Sequence, residues 1–358
     1  MPQLLNALIE KKGSDLHISV NSPPRLRING DLVSLDLPIL TDTQSAELCL
    51  SVLNEEQRAV FKKTHEIDFS FGIKGLCRFR GNVFIQRSRV SGVFRIIPTK
   101  IPTIADLELP AAIANLCNLS RGLVLVTGPT GSGKSTALAA MIDYINTNYA
   151  KHIVTIEDPI EFVHSHKNSL VNQRELGADT KSFQTALRAC LRQDPDVILV
   201  GELRDLETIS MALSAAETGH LVFATMHTNS SVATINRIID VFPADQQAQI
   251  KTQLSFSLVG VMSQLLVRTV KGSRRACYEI MIPNGAIRNM IREDKVHQIY
   301  SAIQMGQENS GMVTMNQSLV SLVLSRQIAL QTAEALSPDV SELMAIIEKS
   351  QGGLRTKK

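Results

Sequence analysis

Residues 128–136 read Gly-Pro-Thr-Gly-Ser-Gly-Lys-Ser-Thr, a complete G-x-x-x-x-G-K-[ST] pattern. Leu123-Val124-Leu125-Val126 precedes it and Ala137-Leu138-Ala139-Ala140-Met141 follows. An apolar run, a glycine-rich turn and a helix-forming run, in that order, predict strand, loop and helix. Gly128, Gly131 and Gly133 let the backbone curl until its N–H groups converge on a polyphosphate, and the helix N-terminus adds positive potential. Thr130, Gly131, Ser132, Gly133, Lys134, Ser135 and Thr136 are therefore the expected phosphate-binding residues. Lys134 is placed to reach the β- and γ-phosphates of ATP, and the Ser135 hydroxyl to ligate Mg²⁺.

The rest of the chain must fit around that unit. From about Ala111, apolar runs alternate with helix-like segments, which predicts an α/β fold with a parallel sheet covered on both faces. The expected strands are Leu123–Thr127, Ile153–Ile156, Val197–Val200 and Leu221–Met226, and each ends in polar residues: the loop, Glu157-Asp158, Gly201-Glu202 and His227. Ligands of open α/β sheets bind outside the carboxyl ends of the strands. Beyond Ser301 the pattern is helical, and Gly352-Gly353 is expected to release a short basic tail from Arg355.

The first hundred residues read as a smaller α+β domain. Arg25-Leu26-Arg27-Ile28 alternates, turns at Asn29-Gly30 and returns through Leu32-Val33, a hairpin signal. Two helices are expected between Thr41 and Lys63, with Asn54 capping the second, and short strands between Phe69 and Ile97. Pro98, Pro102 and Pro110 punctuate the stretch between. The expected organisation is residues 1–98, a linker over 99–112, and residues 113–358.

At 358 residues, two domains are the natural division. No apolar run approaches a membrane span, and Glu10-Lys11-Lys12 comes too early for a secretory signal. The five cysteines are scattered with no C-x-x-C pair, so neither a disulfide framework nor a zinc site is expected, and the cytosol is the expected compartment. Net charge is +3, which speaks against a dedicated nucleic-acid binder. The basic excess is local: residues 1–100 hold 14 Lys and Arg against 10 Asp and Glu. No acid occurs between Phe69 and Ala105, where Lys74, Arg78, Arg80, Arg87, Arg89, Arg95 and Lys100 lie. Phe79, Phe84 and Phe94 interleave with these arginines, but Phe84 and Phe94 fall where core residues of alternating strands would.

Three carboxylates, Glu157, Asp158 and Glu161, surround Pro159, which bars regular helix at Asp158. Glu161 is the candidate for polarising an attacking water. Glu202, after the strand 197–200, is the candidate acid for holding Mg²⁺. His227 ends the next strand at the same edge and is the candidate γ-phosphate sensor; His220, at that strand's other end, is as readily a packed side chain.

The order of phosphate loop, acidic box, Gly-Glu strand and histidine box resembles the secretion ATPase superfamily of type II secretion, type IV secretion and type IV pili. Gly13-Ser14-Asp15-Leu16-His17, Arg78-Phe79-Arg80, Arg192-Gln193-Asp194-Pro195-Asp196-Val197 and Gly201–Thr208 also carry the resemblance. Ala286–Glu293 is similar to a motif of the pilus-retraction branch, with Met290 where leucine is usual. The resemblance implies a PAS-like N-terminal domain, a RecA-like ATPase domain and a homohexamer. It implies a cytoplasmic motor for pilus retraction at the inner-membrane face, peripheral to the membrane, whose partner is an inner-membrane platform protein. Arg80 and Arg95 match positions that reach the γ-phosphate, and Arg288 and Arg292 lie in the coupling segment, where periodicity puts them on an exposed row and Ile287, Met290 and Ile291 on the anchoring face. Ser257-Leu258-Val259-Gly260 departs from the family by lacking an arginine near Val259. Two rival readings are a nucleic-acid translocase on the same core and a nucleotide-gated accessory subunit with poor turnover. Near-neutral charge opposes the first, and the presence of both Glu161 and Glu202 opposes the second.

Overall fold

A computed structural model describes residues 1–28, 30–73, 77–98, 100–306 and 310–355. The chain forms two compact bodies, Met1–Lys100 with Pro159–Val163, and Ile101–Asp158 with His164–Lys358. Ile104, Leu107, Leu109 and Ala112, within the stretch expected as linker, pack into the core of the second body.

In the first body α1 (Pro2–Glu10) leads to β1 (Asp15–Ile18), β2 (Arg25–Ile28) and β3 (Asp31–Ser34). Helices α2 (Asp42–Leu50) and α3 (Glu55–Thr64) follow, then β4 (Glu66–Gly72), β5 (Arg78–Gln86) and β6 (Arg89–Ile97). The strands form one antiparallel sheet in the order β3-β2-β1-β6-β5-β4. The hairpin pairs Ile28 with Asp31 as the alternation predicts; Asn29 of its turn, like Lys74 of the basic stretch, lies outside the described residues. Asn54 caps α3 by accepting the Gln57 N–H at 2.8 Å, while the Gln57 side chain returns to the Asn54 N–H, a reciprocal box that satisfies two otherwise orphan donors. Strands β5 and β6 run for nine residues each rather than as short pieces, because Phe79, Val83 and Phe94 fill one core with Leu5 and Leu8 of α1.

The second body opens with α4 (Ala111–Cys117), β7 (Gly122–Thr127), α5 (Lys134–Asn148), β8 (His152–Glu157) and β9 (Leu170–Glu175). It continues through α6 (Phe183–Cys190), β10 (Val197–Val200), α7 (Leu206–Glu217), β11 (Leu221–Met226), α8 (Ser231–Asp240) and α9 (Gln247–Ser257). Strands β12 (Leu258–Arg268) and β13 (Arg274–Met281) follow, then α10 (Gly285–Arg292), α11 (Ile299–Met305), α12 (Met315–Leu324), α13 (Leu330–Leu336) and α14 (Val340–Arg355).

The sheet order is β13-β12-β7-β11-β10-β8-β9, parallel except for β13 against β12. All four expected strands are present, within one residue at each end. Alternate residues of each strand serve opposite faces: Leu123, Leu125, Ile198 and Val222 join one core, Val124, Val126, Leu199 and Phe223 the other. The sheet is nonetheless mixed and wider than expected. β9 is a largely polar strand at the sheet edge, and β12 begins directly after α9 with no breaker between, so periodicity gives neither away. α14 continues through Gly352-Gly353 to Arg355, and Thr356, Lys357 and Lys358 of the expected tail lie outside the described residues. Among the described residues, no helix is long and apolar enough to cross a membrane.

Candidate active site

Register fixes where the polar strand ends meet. Thr127 of β7 pairs with Met226 of β11, Ala224 of β11 with Val200 of β10, and Val200 with Ile156 of β8. All four strands are parallel, so loop 128–136, His227, Gly201-Glu202 and Glu157-Asp158 emerge at one edge, as ligand binding in an open sheet requires.

The loop is held in a conformation that side chains resist. Gly128, Gly131 and Gly133 take φ of +139°, +79° and +89°, a region open to glycine at little cost. Lys134 is buried, and its Nζ donates to the carbonyls of Gly128 at 2.8 Å and Pro129 at 3.0 Å, spanning the loop. Ser135 and Thr136 sit half-buried in the first turn of α5, and Thr130 is exposed. Ser132 is buried, and its Oγ has no hydrogen-bond partner among the described residues. A positive-φ cradle, a lysine drawn across it and an unpaired hydroxyl at a helix N-terminus fit a polyphosphate with a divalent cation.

Glu202 stands beside this cradle on a braced turn. Gly201 N–H donates to Ile156 O at 2.7 Å, Leu203 N–H to Thr225 O at 3.0 Å, and the Thr225 hydroxyl to Gly201 O. A Cβ at position 201 would lie 3.1 Å from Ile156 O and 3.2 Å from Glu157 Cα. Glycine therefore fits where another residue would crowd β8. One Glu202 oxygen lies 3.3 Å from His227 Nε2, and the other accepts Arg204 at 2.6 Å. Burial pushes the Glu202 carboxyl up, but the Arg204 hydrogen bond and charge, with His227, outweigh it and hold the group below its ordinary value. An ionised carboxylate at this edge is a hard oxygen donor suited to Mg²⁺.

The acidic box divides. Glu157 accepts the Thr155 hydroxyl at 2.6 Å and the Gln173 amide at 3.2 Å, which ties it to β8 and β9. Glu161 is exposed and belongs with Pro159–Val163 to the first body, as do Arg80 and Arg95. His220 is packed, with Nδ1 3.0 Å from Ala215 O at the end of α7.

In the first body, Arg27, Asp15, Arg95 and Arg80 are successive cross-strand partners over β2, β1, β6 and β5, so they line one sheet face. Buried Asp15 accepts Arg95 at 2.7 Å and stands 3.9 Å from Arg27. Among the described residues, Arg80 has only exposed Asp68, at 3.8 Å. Phe79 and Phe94 are fully buried beneath and serve the core, whereas Phe84, also expected there, is half-buried and outside it.

The exposed row expected of Arg288 and Arg292 is corrected. α10 forms as expected, with Asn284 capping Ile287 N–H at 2.9 Å and Ile287 and Ile291 buried. Arg288 is half-buried, and its guanidinium donates to Pro283 O, Ser255 O and Phe256 O at 3.2–3.3 Å. It closes the C-terminal carbonyls of α9, where a cation is favoured. Only Arg292 is exposed, over the Phe256 ring at 5.6 Å. Val259 is the bulged residue where β12 shifts register against β7, packed over Gly122.

Sequence reasoning did not assign Arg204 or Glu279 a role. Buried Glu279 accepts the Ser231 N–H at 2.6 Å, anchoring the start of α8 four residues beyond His227. A lone acid in a strand the periodicity hides leaves no local signal.

Comparison with known proteins agrees with this geometry. The model of the family described as type II/IV secretion system protein matches residues 104–337. The chain is 51% identical to the type IV pilus retraction ATPase PilT of Pseudomonas aeruginosa, over 92% of this chain and 96% of that one. It is 50% identical to the twitching motility protein of Neisseria gonorrhoeae, over 87% and 83%. The solved structure of the pilus retraction motor PilT with bound ADP superposes with a TM-score of 0.91 at 51% identity, covering 96% of this chain and 98% of that chain. With its phosphate loop, Glu202 and His227 on one sheet edge, the chain belongs to the type II/IV secretion ATPase family, as a pilus-retraction ATPase of the PilT type.

Proposed function

We propose that this chain binds ATP with Mg²⁺ on residues 130–136, hydrolyses it, and as a homohexamer spends the energy on type IV pilus retraction. The observation that carries this reading is the Glu202–His227 pair on the same strand edge as the phosphate loop. The working place is the cytoplasmic side of the inner membrane, peripheral to it, against an inner-membrane platform protein, with no nucleic-acid partner.

Lys134 exchanges its contacts with the loop carbonyls for the β- and γ-phosphates. Ser135 and Glu202 are the residues that would hold Mg²⁺, which when bound neutralises charge between the phosphates. Glu161 orients the water and accepts its proton as the water oxygen bonds to phosphorus and the bond to ADP breaks. His227, held against Glu202, reports whether the γ-phosphate is present. Arg80 and Arg95 stabilise the charge spreading over the transferred group, worth roughly 10³–10⁵ in rate for such arginines. Arg288 and Arg292 pass the nucleotide state outward, Arg288 by its hold on α9 and Arg292 at the surface.

Deletion of the gene, with pili counted and twitching scored, tests this. Hyperpiliated, non-twitching cells are expected; bald cells would point to pilus assembly instead.

A further inference from the structure

β12 runs alongside β7 to the end of that strand, with Ser263 paired to Thr127 and their hydroxyl oxygens 2.8 Å apart. The next residue, Gln264, therefore lies where the phosphate loop begins. It is 4% exposed, and its Nε2 donates to Ser132 O at 2.7 Å. Its backbone crowds the loop as well. A Cβ at Gly128 would fall 2.2 Å from Gln264 O, and one at Gly133 would fall 2.7 Å from Gln264 Nε2. One residue thus meets the loop at 128, 132 and 133.

This contact carries a cost. Gln264 Oε1 is buried with no hydrogen-bond partner among the described residues. A buried unpaired acceptor is unfavourable by about 1–3 kcal/mol, against about 1 kcal/mol gained by an ordinary hydrogen bond. An apolar side chain of the same length would remove the orphan oxygen but strand the buried Ser132 carbonyl in its place, so stability does not favour either choice. Retaining the amide makes physical sense if the Ser132 carbonyl must be held down. A carbonyl turned inward would meet the phosphates with like charge, whereas one tethered to Gln264 leaves the loop N–H groups to face them.

We propose that Gln264 is a positioning residue for the phosphate loop, which sets nucleotide affinity without touching nucleotide. This deepens the nucleotide-site reading and rests on it. The test is Gln264→Met, which keeps length and loses the donor, measured by calorimetric titration of the full-length protein with MgADP and by Tm without nucleotide. Expected is an ADP affinity at least about fivefold weaker, with KM for ATP raised by a similar factor, kcat within about threefold of normal, and a nucleotide-free Tm close to that of the unaltered chain, since one unpaired oxygen is exchanged for another. Gln264→Glu, nearly isosteric but without the donor, is the second variant should Gln264→Met fail to fold, and it is expected to bind ADP more weakly still. Unchanged ADP affinity in the variant that folds overturns the proposal, and so does a loss of affinity that merely follows a fall in nucleotide-free Tm. Failure of the unaltered chain to bind MgADP would instead overturn the nucleotide site itself, and this assignment with it.

Discussion

His227 Nε2 lies 3.3 Å from one carboxylate oxygen of Glu202, whose other oxygen accepts Arg204 at 2.6 Å. The carboxylate is thereby fixed in direction, and a histidine from the neighbouring strand can sense what the carboxylate holds. Lys134, on the other side of the edge, is occupied with loop carbonyls at 2.8 and 3.0 Å. On the proposed reading Lys134 serves nucleotide capture and Glu202 turnover.

Lys134→Ala and Glu202→Gln should fail differently. The first removes a phosphate contact and is expected to weaken ATP binding itself. The second keeps shape but lowers metal affinity, so ATP is expected to bind while hydrolysis falls roughly tenfold or more. Phosphate release at saturating Mg²⁺, beside a nucleotide-binding titration, separates them; near-normal turnover in Glu202→Gln would remove its metal role.

Arg80 and Arg95 should each cost about 10²-fold in turnover when changed to Ala, with little change in ATP affinity. Their surroundings predict a difference in stability. Arg95 bonds buried Asp15 at 2.7 Å, whereas Arg80 stands 3.8 Å from exposed Asp68. Arg95→Ala leaves a buried carboxylate short of a partner and should lower Tm, while Arg80→Ala should not. Steady-state turnover with thermal denaturation checks both, and full activity in the two variants would refute the finger role.

Arg288→Ala withdraws a guanidinium from three carbonyls at 3.2–3.3 Å, two of them at the end of α9. A loss of about 1 kcal/mol is expected, read as a Tm lower by a few degrees. Arg292→Ala should leave Tm unchanged, since its ring contact is at the surface. Both are expected to abolish twitching while keeping roughly half or more of the ATPase rate. Arg292→Ala is the cleaner test of coupling, and normal twitching in cells expressing it at the usual level would sink that role.

His164 is buried, and burial first, with Lys167 in the same sense and Asp143 opposing, lowers its pKa from 6.5 to about 4. The fold holds it neutral, while the unfolded chain takes up a proton as pH falls through the ordinary value. Its contribution to stability is therefore complete above about pH 6.5 and lost progressively toward pH 4, reaching about 2 kcal/mol at pH 5. His164→Gln should lose correspondingly less Tm than the unaltered chain between about pH 7.5 and 5. Equal losses in the two proteins would show that this imidazole is not held neutral.

The phosphate loop, the four catalytic-edge strands, the Asn54 cap and α10 were legible in the sequence because each is set by neighbours in the chain. Three glycines must lie where φ is positive, an asparagine stands three residues before Gln57, and apolar residues alternate or recur at helical spacing. β9, β12 and β13 were not legible, since β9 is largely polar and the α9–β12 junction carries no breaker. Nor does spacing reveal which atoms a long side chain will reach. Arg288 reads as surface charge by periodicity, yet the fold brings the end of α9 beneath it. Arg80 and Arg95 are fifteen positions apart in the chain and cross-strand partners in the sheet. The amide of Gln264 meets Ser132 across an interval of 132 residues. Local propensity and pattern act over a few residues, so they determined the elements and the phosphate loop. Pairing, burial and side-chain reach act between distant segments, so only the tertiary structure decided which groups the site would share.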